Sequence, residues 1–109
     1  MVTRISLVKL RAVSRGEVLH HWLGPHADVV RALPQVRDYV VALARDDRSP
    51  DQWDAVATLR FDSETDLREA LEPPETARAL VQTRAPFIRS VDVFLAEEHV
   101  IVRDGQAVS

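Results

Sequence analysis

The stretch Ser14–Leu33, SRGEVLHHWLGPHADVVRAL, constrains the fold more than any other part of the chain. On a wheel of about 100° per residue, Val18, Leu19, Trp22, Val29, Val30 and Leu33 gather on one side. A helix carrying such a stripe must bury it against another element. Ser14 followed three residues later by Glu17 is a capping box, so the helix is expected to start at Arg15. Pro25 lacks a backbone donor and clashes with the carbonyl of His21, so Gly24-Pro25 should break or kink the helix, and Pro34 should end it. His26 falls in the middle of the apolar side, His20 on the far side and His21 at the margin.

The flanking segments read as strands. Residues 2–10 alternate loosely, with Ile5 and Leu7 on one face and Val8 and Leu10 on the other. Val36–Ala44 is rich in β-branched residues and carries Tyr39, and Arg45–Gln52 is a polar loop holding Pro50. Trp53–Phe61 is the cleanest strand, with Trp53, Ala55, Ala57, Leu59 and Phe61 on one face and Asp54, Val56, Thr58 and Arg60 on the other. Ser63 with Asp66 caps a second helix to about Leu71, and Pro73-Pro74 interrupts it. A further helix runs from Pro74 or Glu75 to about Ala85 and is closed by Pro86. Ser90–Ala96 is a final strand, with Val91, Val93 and Leu95 opposing Phe94 and Ala96. Val100–Val102 could extend it, and residues from about Glu98 onward read as an arm or tail.

Strand, helix, strand, strand, helix, strand is the ferredoxin-like βαββαβ order. It predicts an α+β fold, a four-stranded antiparallel sheet with the helices on one face, in a single domain over residues 1–109. A composition of 46% hydrophobic and 28% charged residues supports a folded chain. The net charge of −3 and the lack of a basic cluster argue against nucleic acid as a partner. The absence of cysteine excludes disulfides, thiolate catalysis and cysteine-based metal sites. The N-terminus is too short and too charged for a signal peptide, and no stretch approaches about 18 apolar residues, so a cytoplasmic protein without a membrane partner is expected. Apolar residues lie on both sheet faces. If Val8, Leu10, Val40 and Val56 line the face without helices, that patch should be covered in a homodimer whose sheets pack about a two-fold axis.

The chain resembles the EthD family of the dimeric α+β-barrel superfamily. The likeness rests on a first strand ending in VKLR, then SRGEVLHHWLGPHADVVRALPQVRDYV, then WDAVATLRFDS, then a second helix rich in Ala and Leu. Trp22, His26, Tyr39, Asp54 and Phe61 fall at the family's characteristic places. Three features depart from the common pattern. Gly24-Pro25 replaces polar helix formers just before the histidine, Trp53 stands where a tyrosine is common, and Ala55 where a glycine is common. The resemblance implies a dimeric α+β barrel. Relatives include cofactor-free isomerases, cyclases and dehydratases acting on aromatic or polyketide-like compounds, and others that accompany catabolic oxygenase systems.

His26 is the first catalytic candidate, since a neutral imidazole in apolar surroundings can take or pass a proton. The competing reading is a core histidine bonded to a backbone carbonyl. Tyr39 could donate to a carbonyl or stabilise an enolate, and Asp54 could orient an imidazole or protonate a leaving hydroxyl. The competing readings are a core tyrosine with a solvated hydroxyl and an edge aspartate bonding backbone amides. Trp22, Trp53, Phe61, Phe87 and Phe94 could wall a pocket or simply pack. No metal site is expected, because adjacent helical residues such as His20 and His21 point about 100° apart. No glycine-rich phosphate loop or hydrolase motif is present, so no cofactor is expected. The leading expectation is a cofactor-free acid–base enzyme on a small apolar molecule, of isomerase, cyclase or dehydratase type. The alternatives are a non-catalytic small-ligand or accessory protein and a cofactor-free monooxygenase.

Overall fold

The computed structural model describes residues 1–45 and 51–108. Within the polar loop expected at Arg45–Gln52, positions 46–50, Pro50 included, lie outside the described residues, as does Ser109. β1 (Val2–Leu10) leads into α1 (Arg15–His21), a widened π turn (Trp22–His26) and α2 (Ala27–Arg31). β2 (Asp38–Leu43), β3 (Ala55–Phe61), α3 (Glu64–Leu71), α4 (Pro74–Arg84) and β4 (Ile88–Glu97) follow. The sheet order is β2-β3-β1-β4, antiparallel throughout, as the ferredoxin-like reading predicts. No helix among the described residues is long and apolar enough to cross a membrane.

Local chemistry sets the element ends. The Ser14 and Ser63 hydroxyls accept from the backbone N–H of Glu17 and Asp66, each at 3.1 Å. At Pro25 the helix absorbs the proline by inserting a residue rather than stopping: the N–H of Ala27 reaches back to the carbonyl of Trp22, and Gly24 leaves the helical region (φ −96°, ψ −106°). Trp22 and His26, at the two ends of that turn, are both buried.

Several boundaries differ from expectation, β4 among them, which starts at Ile88 rather than Ser90. β3 starts at Ala55 rather than Trp53, because Asp54 leaves the strand pattern. Its carboxylate accepts from the N–H of Leu10 at 2.7 Å, while its own N–H donates to the carbonyl of Val8 at 2.9 Å. β2 begins at Asp38, after Gln35 takes up a positive φ of 63°. Beyond β4 the chain neither extends that strand nor trails away. Val102–Arg103 and Gln106–Ala107 form a small hairpin, β5 and β6, around Asp104 and Gly105, both at positive φ.

The helix-facing side of β1 is the reverse of the one that left Val8 and Leu10 bare. Val8 pairs with Ala55 and is buried with Val18, Trp22 and Phe87, and Leu10 packs against the same cluster. Ile5 and Leu7 therefore lie on the open face, with Val40, Val56 and Phe94. Across its middle runs the row Val40, Thr58, Ile5, Phe94, in which Val40 is 57% and Phe94 50% exposed. At one end the same face is polar: Arg60 reaches Asp38 at 2.9 Å and Glu98 at 2.6 Å, and the Thr3 hydroxyl donates to Glu98.

Under the helices the core has two parts. One gathers Val8, Val18, Trp22, Ala55, Ala57 and Phe87; the other gathers Val30, Leu33, Leu59, Phe61, Leu67 and Ala70. Tyr39 packs against both. α4 contributes no fully buried residue to either.

The role of Asp54 is checked by substitution. Asp54→Ala removes the acceptor for the Leu10 N–H and should lower unfolding stability by about 1–3 kcal/mol, whereas Asp54→Asn keeps an acceptor oxygen and should lose much less. Equilibrium denaturation of the two variants measures the difference.

Candidate functional site

The seam between the two core clusters holds a small hollow of about 60 Å³. Its walls are apolar, among them Val8, Trp22, Val30, Leu59, Leu80 and Val91, and its polar groups are Arg4, Ser6, His26, Tyr39 and Arg84. Larger surface grooves, of about 530, 500 and 410 Å³, are also present, and His26 lines none of them. We place the site in the smaller space because the groups able to move protons converge there.

The π turn delivers His26 to this space, where it is 7% exposed. Its Nδ1 lies 2.7 Å from the Thr83 hydroxyl on the last turn of α4. That hydroxyl also lies 2.8 Å from the Ala79 carbonyl and 3.3 Å from that of Leu80. A carbonyl cannot donate, so the single hydroxyl proton goes to the helix backbone, and Thr83 accepts from His26. This network assigns the ring proton to Nδ1 and leaves the lone pair on Nε2. Nε2 has no hydrogen bond among the described residues. Burial, with the positive charges of Arg84 and Arg4 adding to it, lowers the His26 pKa to about 4. The ring is therefore neutral at pH 7. Phe87, fully buried, meets it edge-on at 5.9 Å.

Tyr39, on β2, accepts a 2.8 Å hydrogen bond from the Trp22 indole Nε1, which leaves its own O–H available to donate. Burial raises its pKa, opposed by the Trp22 hydrogen bond and by Arg4, so it stays protonated at neutral pH. Tyr39 and Trp22 line both the hollow and the 500 Å³ groove, and so form a wall shared by the two.

The structure brings His26, Tyr39 and Trp22 together and separates the other expected residues from them. Asp54 lines the 530 Å³ groove with Arg11, Arg15 and Arg89, its carboxylate engaged with the Leu10 N–H, which is the edge-aspartate alternative. Trp53 is 38% exposed beneath the Lys9 ammonium, 5.4 Å from its ring centroid, because the chain leaves the strand at Asp54. Phe61 is fully buried in the second core cluster. Phe87 lies behind His26, and Phe94 is on the open face. Sequence reasoning missed Arg4, Thr83 and Arg84. Arg4 shares strand parity with Val8 and Leu10 and reaches the helix-facing side with them, which the sequence does not reveal because β1 carries apolar residues on both faces.

The EthD domain matches residues 10–90. No curated protein matches the chain. Among solved structures, an EthD family protein from Bacillus halodurans is 20% identical with a TM-score of 0.72, over 91% of this chain and 99% of that one. A dimeric ferredoxin-like protein of unknown function from Thermobifida fusca is 18% identical with a TM-score of 0.66, over 87% and 88%. SnoaB, a cofactor-independent oxygenase from Streptomyces nogalater, is 17% identical with a TM-score of 0.68, over 91% and 93%. At these identities the likeness is one of fold. The match over residues 10–90 includes the π turn, His26, Tyr39 and the end of α4, and the chain belongs to the EthD family.

Proposed function

We propose that this chain is a cofactor-independent acid–base enzyme acting on a small apolar or aromatic carbonyl compound, with His26 as base and Tyr39 as the group that polarises the carbonyl. The observation that carries this reading is the Nδ1–Thr83–Ala79 hydrogen-bond chain, which leaves Nε2 with its lone pair in an apolar space. A proton on the carbon next to the carbonyl passes to Nε2. The electron pair moves to the carbonyl oxygen, and the Tyr39 O–H donates to the enolate that forms. The imidazolium then returns the proton to another carbon, giving isomerisation, or to a departing hydroxyl, giving dehydration. Thr83 supports the imidazolium by accepting from Nδ1 throughout.

A hollow of about 60 Å³ is smaller than the roughly 300–1,000 Å³ typical of ligand pockets, so a substrate must displace side chains to enter. α4 is the element suited to yield, because it packs without a fully buried residue. Arg84 and Leu80, on that helix, line the hollow and have long or rotatable side chains.

The protein acts in this reading as a cytoplasmic homodimer with the open sheet faces packed together. The exposed Val40 and Phe94, and the dimeric Thermobifida relative, support the pairing. Sedimentation should report twice the 12.3 kDa chain mass, and Val40→Glu, which sets a charge on that face, should shift the mass toward one chain. A Val40→Glu protein that sediments as the wild type does would remove the sheet-face dimer.

The catalytic assignment is tested by deuterium uptake next to the carbonyl in a panel of aryl ketones and aryl keto acids. Exchange on at least one should exceed that in buffer, and His26→Gln should lower it by about 10²–10⁴-fold. Tyr39→Phe should lower it by about 10-fold or more with the fold intact. Wild-type exchange rates in His26→Gln, or no acceleration across the panel, would overturn the assignment. The pH profile gives an independent check. The base works neutral, so kcat/KM should hold down to roughly one unit above the His26 value and fall as pH drops through about 4, not through 6.5.

A further inference from the structure

The arginines of the hollow extend this reading to the substrate itself. β1 is a central strand, and on its helix-facing side Arg4 lies between Leu59 of β3 and Leu95 of β4, a position where the packing calls for an apolar residue. Arg84 enters the same hollow from the last turn of α4. Among the described residues no carboxylate lines the hollow, and neither guanidinium has a hydrogen bond or an ion pair. Four other arginines are matched by described carboxylates, among them Arg37 with Asp62 at 3.2 Å, and Arg60 with Asp38 and Glu98. The two unmatched guanidiniums act on each other, since burial and the charge of Arg84 both lower the pKa of Arg4. Two half-buried like charges with no counter-ion are costly to hold in an apolar seam. None of the acidic residues among the described ones lines the space beside this pair.

We propose that Arg4 and Arg84 form the carboxylate-binding end of the site, so that the substrate is a small aryl or alkyl carboxylic acid whose apolar body lies along Trp22 and Leu59, with its reacting carbon at His26. A guanidinium presents a planar fork of donors that matches a carboxylate, and the surrounding apolar walls strengthen that pairing. The inference rests on the proposed acid–base reading for the role of His26, though the anion site itself does not require turnover. It also bears on the base. Arg84 and Arg4 depress His26, so a bound carboxylate that offsets their charge makes the imidazole a stronger base when substrate is present. The charged and titratable groups lining this space are Arg4 from β1, Tyr39 from β2 and Arg84 from α4.

The test compares 3-phenylpropanoate with its neutral isostere 3-phenylpropanamide, by calorimetric titration of the full chain at low salt. The acid should bind at least about 10-fold more tightly than the amide, and its advantage should shrink with added salt. Arg84→Gln and Arg4→Gln should each remove about 10-fold or more from acid binding and leave amide binding unchanged. His26→Gln should bind the acid as the wild type does, which separates this site from the catalytic assignment. Loss of exchange activity with acid preference intact defeats only the acid–base reading. Equal binding of acid and amide by the wild type, or binding of neither at millimolar concentration, overturns the anion site. The wild-type comparison stands even if Arg4→Gln fails to fold.

Discussion

One hydrogen bond, from His26 Nδ1 to the Thr83 hydroxyl, gives the rest of the site its chemical meaning. Its direction is decided on α4, where the Ala79 carbonyl takes the hydroxyl proton and leaves Thr83 only the role of acceptor toward the ring. It joins two helical segments distant in sequence, and it needs His26 to arrive on the inner side of its own. Pro25 stands just before His26. A proline in mid-helix removes a backbone bond, and the chain responds by widening one turn, with Trp22 at its start and His26 at its end. Trp22 then donates to Tyr39, so the same turn orients both groups of the proposed mechanism.

The hollow concentrates polarity where the fold would otherwise place hydrocarbon. Arg4 and Ser6 occupy the helix side of a central strand, and Tyr39 stands where the two core clusters meet. Arg4 and Ser6 break the binary pattern of β1. Breaks of this kind collect at functional sites, where stability is given up for chemistry. Elsewhere the chain keeps to the pattern. Ala55, Ala57, Leu59 and Phe61 form an unbroken buried row on β3, and the exposed Arg31, Arg37 and Arg68 pair with nearby carboxylates. The polar group at the end of the open face, Arg60 with Asp38 and Glu98, is internally matched, which sets it apart from the unmatched pair in the hollow.

Much of this architecture is legible in the residues. Two serine caps, the strict alternation of β3 and the punctuation by proline yield the element order and the ferredoxin-like sheet. The aim of His26 also follows from the wheel, since the proline widens the helix without turning the ring outward. The side of β1 does not follow. Alternation gives parity, and with apolar residues on both faces parity alone does not say which face meets the helices. Alternation therefore leaves Val8 and Leu10 as candidates for the open side, which the structure gives to Ile5 and Leu7, and it hides the inward position of Arg4. Thr83 and Arg84 carried no local signal, because their role arises only when α4 docks beside the π turn. Asp54 and Trp53 were misplaced by one physical cause: a carboxylate that bonds the Leu10 N–H takes its residue out of the strand pattern. The terminal hairpin did have a sign in Asp104-Gly105, a dipeptide that favours the positive φ of a tight turn.

The central claim is the protonation state of a single ring, and nitrogen NMR of uniformly ¹⁵N-labelled protein reads it directly. At pH 7 the account predicts a neutral His26 with its proton on Nδ1 and an unprotonated Nε2. A proton on Nε2 with Nδ1 accepting from Thr83, or an imidazolium carrying both protons, would contradict it.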